Sequence, residues 1–312
     1  MLESMVMELR QLEYFVAVTE EANFTRAAAR VHVAQPGVSA QVRKLERELG
    51  QDLLDRSGRA VSLTEAGEAV LPYARAALRA VEGARLAVDE LAGLLRGRVA
   101  VGALTSTSSE DLDLPGLLAD FHRDHPAVEI TLSEDNSDRM IEALKDGRLD
   151  LALVSLGGKT VPGIETRVVT DERLVAAVGR DDSLAERTTV NLRALKEKSL
   201  ISLPRGTGIR ALLDEACAAA GFRPRVLIEA GDPNVLARLA GRGLGVAVLP
   251  ESLADYYKTE LNAVRIVRPE LRGSVDLAWR ADGPISPAAR ALIDRARGML
   301  GDPPAVARLG RK

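Results

Sequence analysis

Gln35, Ser39 and Arg43 fall at i, i+4 and i+8, so on a helix they share one face. Glutamine pairs with adenine and arginine with guanine through two hydrogen bonds each, while serine is less selective. Such a trio on an exposed helix could read base edges. Thr25, Arg26 and Arg30 precede it, and Arg56 and Arg59 follow it. These suit the phosphate or minor-groove contacts that set register. Taken singly, each residue is better explained by a solvated surface. A second set lies further along the chain. It comprises the run Thr105-Ser106-Thr107-Ser108-Ser109, then Ser137 after Glu134-Asp135-Asn136, Ser155 at the end of an apolar run, and Pro204-Arg205-Gly206-Thr207-Gly208. Hydroxyls and free backbone N–H groups at helix starts favour a small anion or carboxylate. Ordinary helix capping accounts for any one of these loops about as well.

Charge distribution sharpens the first set. The chain of 312 residues carries a net charge of −3, which argues nothing for nucleic acid. Residues 1–25, however, hold one base, Arg10, against five acids, Glu3, Glu8, Glu13, Glu20 and Glu21. From Ala22 through Leu45 there is no acid, while Arg26, Arg30, Arg43 and Lys44 supply four positive charges. That is the local footprint of a small DNA-contacting module inside an acidic protein.

Other classes recede. The length suggests two domains of roughly 150 residues. No apolar run approaches the ~18 residues that span a bilayer, and the N-terminus has no signal-peptide pattern. One cysteine, Cys217, and three histidines, His32, His122 and His125, leave no disulfide framework and no usual zinc site. The expectation is a cytoplasmic protein without metal, cofactor or membrane partner.

The elements that would position both sets follow from apolar spacing. Leu12, Phe15 and Val16 mark one helix, and Phe24, Ala27, Ala28 and Val31 a second, with Asn23 at its N-cap. Val38, Val42, Leu45 and Leu49 mark a third, with Pro36 in its first turn and Gly50 closing it. Two short helices joined by His32–Gln35 form a helix-turn-helix candidate. Asp55-Arg56-Ser57-Gly58-Arg59 between apolar runs reads as a hairpin turn, a wing with basic residues at its tip. Thr64 can cap an Ala-rich helix running to about Leu95, kinked or divided at Pro72. Its stripe Leu71, Ala74, Leu78, Val81, Val88 and Leu95 follows a/d spacing, which reads as a dimerisation and linker helix or as packing on its own domain. After Gly97, strand and helix alternate: Val99–Leu104, Leu114–Phe121, Val128–Leu132, Ile141–Leu144, Leu149–Ser155, then Leu174–Val178 through Val275–Trp279. That rhythm predicts α/β packing with largely parallel sheets. The tail from Gly301 to Lys312 has no apolar period and reads as disordered.

Several motifs now carry a resemblance. Leu12-Glu13-Tyr14-Phe15, Asn23-Phe24-Thr25-Arg26-Ala27-Ala28 and Val33-Ala34-Gln35-Pro36-Gly37-Val38-Ser39 resemble the winged helix-turn-helix of LysR-type transcriptional regulators. The wing and Leu63-Thr64-Glu65-Ala66-Gly67 match in the same order. Leu149-Asp150-Leu151-Ala152 and Gly243-Leu244-Gly245-Val246-Ala247-Val248-Leu249-Pro250 look like the family's effector-domain signatures. The resemblance covers residues 7–300. It departs at Leu54, where an aromatic is usual, and at Ala34 and Gly37. Ala34 cannot cap the third helix, and Gly37 costs ~1 kcal/mol within it.

The resemblance implies a winged helix-turn-helix over residues 1–64, a linker helix over 65–96 and a two-lobed periplasmic-binding-protein-like α/β effector domain over 97–300. It implies contacts to double-stranded DNA from Thr25, Arg26, Arg30, Gln35, Pro36, Ser39, Arg43, Arg56 and Arg59, on an interrupted palindrome. An effector between the lobes would meet Thr105, Ser106, Ser137, Ser155, Arg205, Thr207 and Gly208. Leu71, Leu78, Val81 and Val88 would form the seam of a homodimer or homotetramer, and RNA polymerase would be a partner if the protein activates. An enzyme is the weaker reading. No Ser/His/Asp arrangement is recognisable, and Gly206-Thr207-Gly208 lacks the lysine of a phosphate-binding loop. A transport binding protein would not carry the basic N-terminal module. Peroxide-sensing members of the family pair two cysteines. Here Cys217 falls at the resolving position, with Gly208 at the reactive one.

Overall fold

Ala22 takes a left-handed conformation at φ 47° and ends helix α1 (Leu9–Glu21). The next residue, Asn23, starts helix α2 (Phe24–Arg30), its side chain accepting from the Thr25 and Arg26 N–H groups at 2.8 and 3.0 Å. The computed structural model describes residues 7–58, 60–91, 94–104, 112–281 and 286–300. Within them the chain divides into two units, one built on Met1–Gly97 and the other on Arg98–Leu144 and Leu149–Ala281.

In the first unit, helix α3 (Gln35–Leu49) begins without a side-chain cap at Ala34 and places Pro36 in its first turn. It ends at Gly50, which is left-handed at φ 69°. Its stripe Val38, Val42 and Leu45 is fully buried against Phe15, Val18, Ala27 and Ala28. Burial of that stripe, rather than capping, stabilises the helix, which is why the weak start at Ala34 is tolerated. The wing is a two-stranded hairpin, β1 (Leu54–Asp55) with β2 (Ser62–Leu63), antiparallel with Leu54 opposite Leu63. Leu54 is buried, so an aliphatic side chain fills the position where an aromatic is usual.

Helix α4 (Glu65–Leu91) starts as expected, with Thr64 Oγ1 accepting from the Gly67 N–H at 3.0 Å. Pro72 does not divide it; a single helix runs through. The stripe divides instead. Leu71 and Ala74 are buried in the helix-turn-helix core, and Leu78 packs against its edge. Leu71 and Leu78 thus serve packing on their own domain, whereas Val81 is 37% and Val88 66% exposed.

The second unit holds a ten-stranded mixed sheet. One lobe contains β3 (Gly97–Ala103), β4 (Val128–Glu134) and β5 (Leu151–Val154), with helices α5 (Leu114–Asp124) and α6 (Ser137–Lys145). The other contains β7 (Thr189–Asn191), β8 (Leu200–Ser202), β9 (Val226–Glu229), β10 (Val246–Pro250) and β11 (Asn262–Val267). Helices α7 (Gly208–Ala219), α8 (Pro233–Gly241) and α9 (Glu251–Tyr256) belong to it, and α10 (Pro287–Met299) follows. Strand β6 (Ile164–Val178) runs from one lobe into the other. Its first part pairs antiparallel with β12 (Arg272–Arg280), and Leu174–Val178 pairs with β10 and β11. The expected parallel pairing holds for β3 with β5, β8 with β9 and β10, and β7 with β11. Pairs involving β6 or β12 are antiparallel. These crossing strands carry the chain between lobes and so run against their neighbours. The sequence reading identified Leu174–Val178 at the end of β6 and Val275–Trp279 within β12, and missed the earlier part of β6, where residues such as Thr170-Asp171-Glu172-Arg173 are polar. The expected disordered tail lies outside the described residues.

Candidate functional site

On α3, Gln35, Pro36 and Arg43 are exposed and Ser39 is half-buried, about a quarter turn round the helix from the buried stripe. Thr25, Arg26 and Arg30 are exposed on α2. The acid-free run in sequence is not acid-free in space. Arg26 donates to the Glu21 carbonyl and pairs with its carboxylate at 3.6 Å. Arg30 meets Glu20 at 2.8 Å and Glu21 at 3.6 Å, and Lys44 donates to Glu8 at 2.6 Å. That bond holds the Glu8 carboxyl below, and the Lys44 ammonium above, its ordinary range. Among the described residues Arg43 makes no ion pair; only its carbonyl is engaged, accepting from Arg47 Nε at 3.3 Å. Its guanidinium is therefore open to a partner outside the chain, and Arg47, exposed one turn further along, likewise makes no ion pair among the described residues.

At the wing, Asp55 Oδ1 accepts from the N–H and the hydroxyl of Ser57 at 2.8 and 2.7 Å, which shapes the turn and lowers the carboxyl's pKa. Arg56 is exposed but engaged within the chain: Nη2 donates to Glu46 Oε2 at 2.6 Å, and the guanidinium lies over Phe24, 5.3 Å from the ring centroid. Arg59 lies outside the described residues.

In the second unit, four of the expected residues come together. Asn136 opens α6 by accepting from the Arg139 N–H at 3.0 Å. The next residue, Ser137, is buried, and its Oγ accepts from the Ser155 N–H at 2.9 Å. Across from them stands the start of α7. Gly208 is pressed onto Ser155: a Cβ there would lie 2.2 Å from Ser155 Oγ and 2.4 Å from its carbonyl oxygen. Gly206, at φ +88°, faces Asn136 and Asp138 with more room, its Cβ position 3.4 and 3.3 Å from their side-chain oxygens. Thr207 occupies the N-cap of α7 but does not cap it; Oγ1 donates to the Pro204 carbonyl at 2.8 Å. Arg205 is exposed beside them. Thr105 and Ser106 lie outside the described residues.

Two residues of this region escaped the sequence reading. Asp276, buried on β12, accepts from Ser274 Oγ at 3.0 Å. Burial pushes its carboxyl up, opposed by the Ser274 hydroxyl and the Leu156 N–H. Arg210, buried in the first turn of α7, donates to the Leu203 carbonyl at 3.1 Å and to Glu229 at 2.6 Å, and its Nε meets both Asp214 oxygens at 3.0 Å. It holds the loop ahead of Gly206 against the ends of β8 and β9. The only local signal is the i, i+4 spacing of Arg210 and Asp214; nothing local points to Glu229 or marks Asp276. Among the described residues, no cluster of three or more His, Cys, Asp or Glu side chains could hold a metal ion, and no helix is long and apolar enough to cross a membrane.

Comparison with known proteins bears on both regions. The family profile for bacterial regulatory helix-turn-helix proteins of the lysR family matches residues 9–68, and that for the LysR substrate binding domain matches residues 92–301. The HTH-type transcriptional regulator ShiR of Corynebacterium glutamicum is 38% identical over 245 residues, 78% of this chain and 82% of its own. Among solved structures, a full-length OxyR variant from Pseudomonas aeruginosa superposes with a TM-score of 0.71 at 27% identity, covering 94% of both chains. Full-length CbnR complexed with its target DNA gives 0.58 at 28%, covering 94% of this chain and 99% of that one.

Proposed function

This chain belongs to the LysR family of bacterial transcriptional regulators, DNA-binding proteins with an effector-binding domain, and from that premise we propose that it reads its operator with the exposed face of α3 and senses a small monoanionic or carboxylate ligand between its lobes. The observation that carries the first half is Arg43, solvent-facing and without an ion pair among the described residues, in line with Ser39 and Gln35. An arginine so placed near the middle of a recognition helix can reach guanine in the major groove. Thr25, Arg26 and Arg30 would flank it on the backbone, with Glu20 and Glu21 surrendering the two arginines to phosphate. CbnR, solved with its target DNA, supports that mode of docking.

For the ligand, the two helix starts differ in charge. Helix α6 carries Asp138 in its first turn, whereas α7 carries no acid there, and the Thr207 hydroxyl leaves its amides uncapped. The anionic group would therefore sit at α7, with Ser137 and Ser155 meeting the polar remainder. Asp276 nearby disfavours a second negative charge. The exposed Val81, Val88 and Leu91 on α4 support a homodimer or homotetramer on an interrupted palindrome. Activation would bring RNA polymerase in as a partner.

A gel shift on the intergenic DNA upstream of its own gene tests the operator half. A thermal-shift screen of mono- and dicarboxylates tests the ligand half, since a ligand at a hundred times its Kd adds ~2.7 kcal/mol. No shift from any monocarboxylate, with a shift from a cation or a neutral sugar, would overturn the assignment.

A further inference from the structure

Glu46 lies on the last turns of α3, and its side chain is 5% exposed. A carboxylate so far from water needs partners for both oxygens. Oε1 accepts from the Leu53 and Leu54 N–H groups at 3.1 and 3.2 Å, and Oε2 from Arg56 Nη2 at 2.6 Å. The same guanidinium covers the ring of Phe24, the first residue of α2. One side-chain pair thereby joins the start of α2, the end of α3 and the first strand of the wing. We propose that Glu46 and Arg56 are positioning residues for operator binding, fixing the wing relative to the reading helix, and that Arg56 does not hold a phosphate.

This inference rests on α3 being the reading helix, and it changes the assignment of Arg56 from the one its place in a basic wing suggests. The geometry also gives the two assignments opposite signs. Glu46 is a negative charge on a domain that binds a polyanion, so if it were only a nearby charge, neutralising it would tighten DNA binding. As half of the latch, its neutralisation releases the wing and weakens binding.

The probe is a duplex selected from a random-sequence library by the unaltered full-length protein. Affinity is followed by fluorescence anisotropy over a salt series for Glu46→Gln, Arg56→Gln and the double variant. The pair predicts that each single change weakens binding about tenfold, the loss expected for one charge-assisted hydrogen bond. The double variant should be no worse, because both changes break the same link. The slope of log Kd against log salt should not move. Tighter or equal binding by Glu46→Gln, additive effects, or a slope made shallower by about 0.9 in Arg56→Gln would overturn the proposal and return Arg56 to the phosphates. Circular dichroism melting identifies any variant that fails to fold. Should Glu46→Gln be one, the Arg56→Gln slope decides alone: unchanged supports the latch, shallower overturns it. Arg43→Ala run on the same duplex separates the premise. If it binds as the unaltered protein does, the reading of α3 fails, while the signs for Glu46 and Arg56 still decide the latch.

Discussion

Arg43 faces water with no ion pair among the described residues, while Gly208 sits so close to Ser155 that a single methyl group has no room. On the helix-turn-helix most of the side chains proposed to meet DNA are polar and solvated, and a buried stripe on the same helix sets their direction. In the proposed ligand cleft the atoms concerned are hydroxyls and backbone amides, several already committed to one another, and their placement depends on two lobes meeting. Substitution should therefore act locally on the first surface, changing binding with little effect on stability. In the second region it should change binding and folding together.

The largest effect expected is that of Gly208→Ala. Its Cβ would lie 2.2, 2.4 and 2.6 Å from Ser155 Oγ, carbonyl oxygen and Cβ. Because two of those atoms belong to the strand end rather than to a flexible tip, the backbone must move. Overpacking of this kind costs about 1–3 kcal/mol, and separating the lobe faces should also abolish ligand-induced thermal shifts. Calorimetric unfolding of the variant reads both. A melting curve and ligand response like those of the unaltered protein would show that the lobes do not close on one another at this point.

Arg43→Ala supplies the contrast. It should weaken binding to the preferred operator by ~1–3 kcal/mol and relax preference at one base position per half-site. Stability should stay within about 0.5 kcal/mol, as for surface positions without packing roles. Competition with operator variants carrying single base changes measures the relaxation. If stability falls as much as in Gly208→Ala, the two regions do not differ as argued.

The same contrast explains what could be read without coordinates. The trio on α3 was legible because helix geometry fixes i, i+4 and i+8 to one face, and because Val38, Val42 and Leu45 show which face is inward. Its charge environment was not. Glu20, Glu21 and Glu8 stand outside the acid-free run yet meet Arg26, Arg30 and Lys44 in space. Likewise Arg56 reads as a free base until Glu46, ten residues earlier, is seen to hold it. In the cleft, each loop was identifiable from its hydroxyls and glycines, but not their meeting. Ser137 and Ser155 are eighteen residues apart, and Asp276 reaches them only through strand pairing with Val154. The α4 stripe shows the limit of periodicity: one spacing serves the domain core at Leu71 and solvent at Val88.

Asp276 offers a smaller, pH-resolved test of the cleft side. Burial raises its carboxyl above the ordinary 3.8, so the native chain keeps that proton to higher pH than the unfolded chain does. The penalty is absent below 3.8 and grows as pH rises through the elevated native value, which means stability is lost in that direction. Asp276→Asn cannot ionise. Its stability relative to the unaltered protein should climb across this window and then level off, as read by urea unfolding at a series of pH values. A difference that stays flat, or falls with pH, would mean the carboxylate is better solvated or better paired than Ser274 and Leu156 make it.

Cys217 should give the smallest effect of all. Its side chain is fully buried on α7, within the cluster that includes Leu195, Leu213 and Phe222. Desolvation, helped by the charge of Asp214, pushes its thiol up to about 11. Near neutral pH almost no thiolate is then present, and the thiolate is the species that peroxide attacks. No second cysteine exists in the chain, so an oxidised Cys217 would have no intramolecular partner with which to form a disulfide. Alanine is the better substitute here than serine, whose hydroxyl would need a partner in an apolar core. Cys217→Ala should therefore cost about 1 kcal/mol or less through a small cavity, with operator affinity unchanged. Millimolar peroxide should leave the gel shift of the unaltered protein where it was. A peroxide-dependent shift that disappears in Cys217→Ala would show that this core opens on the timescale of oxidation, and that the second unit is less closed than its packing indicates.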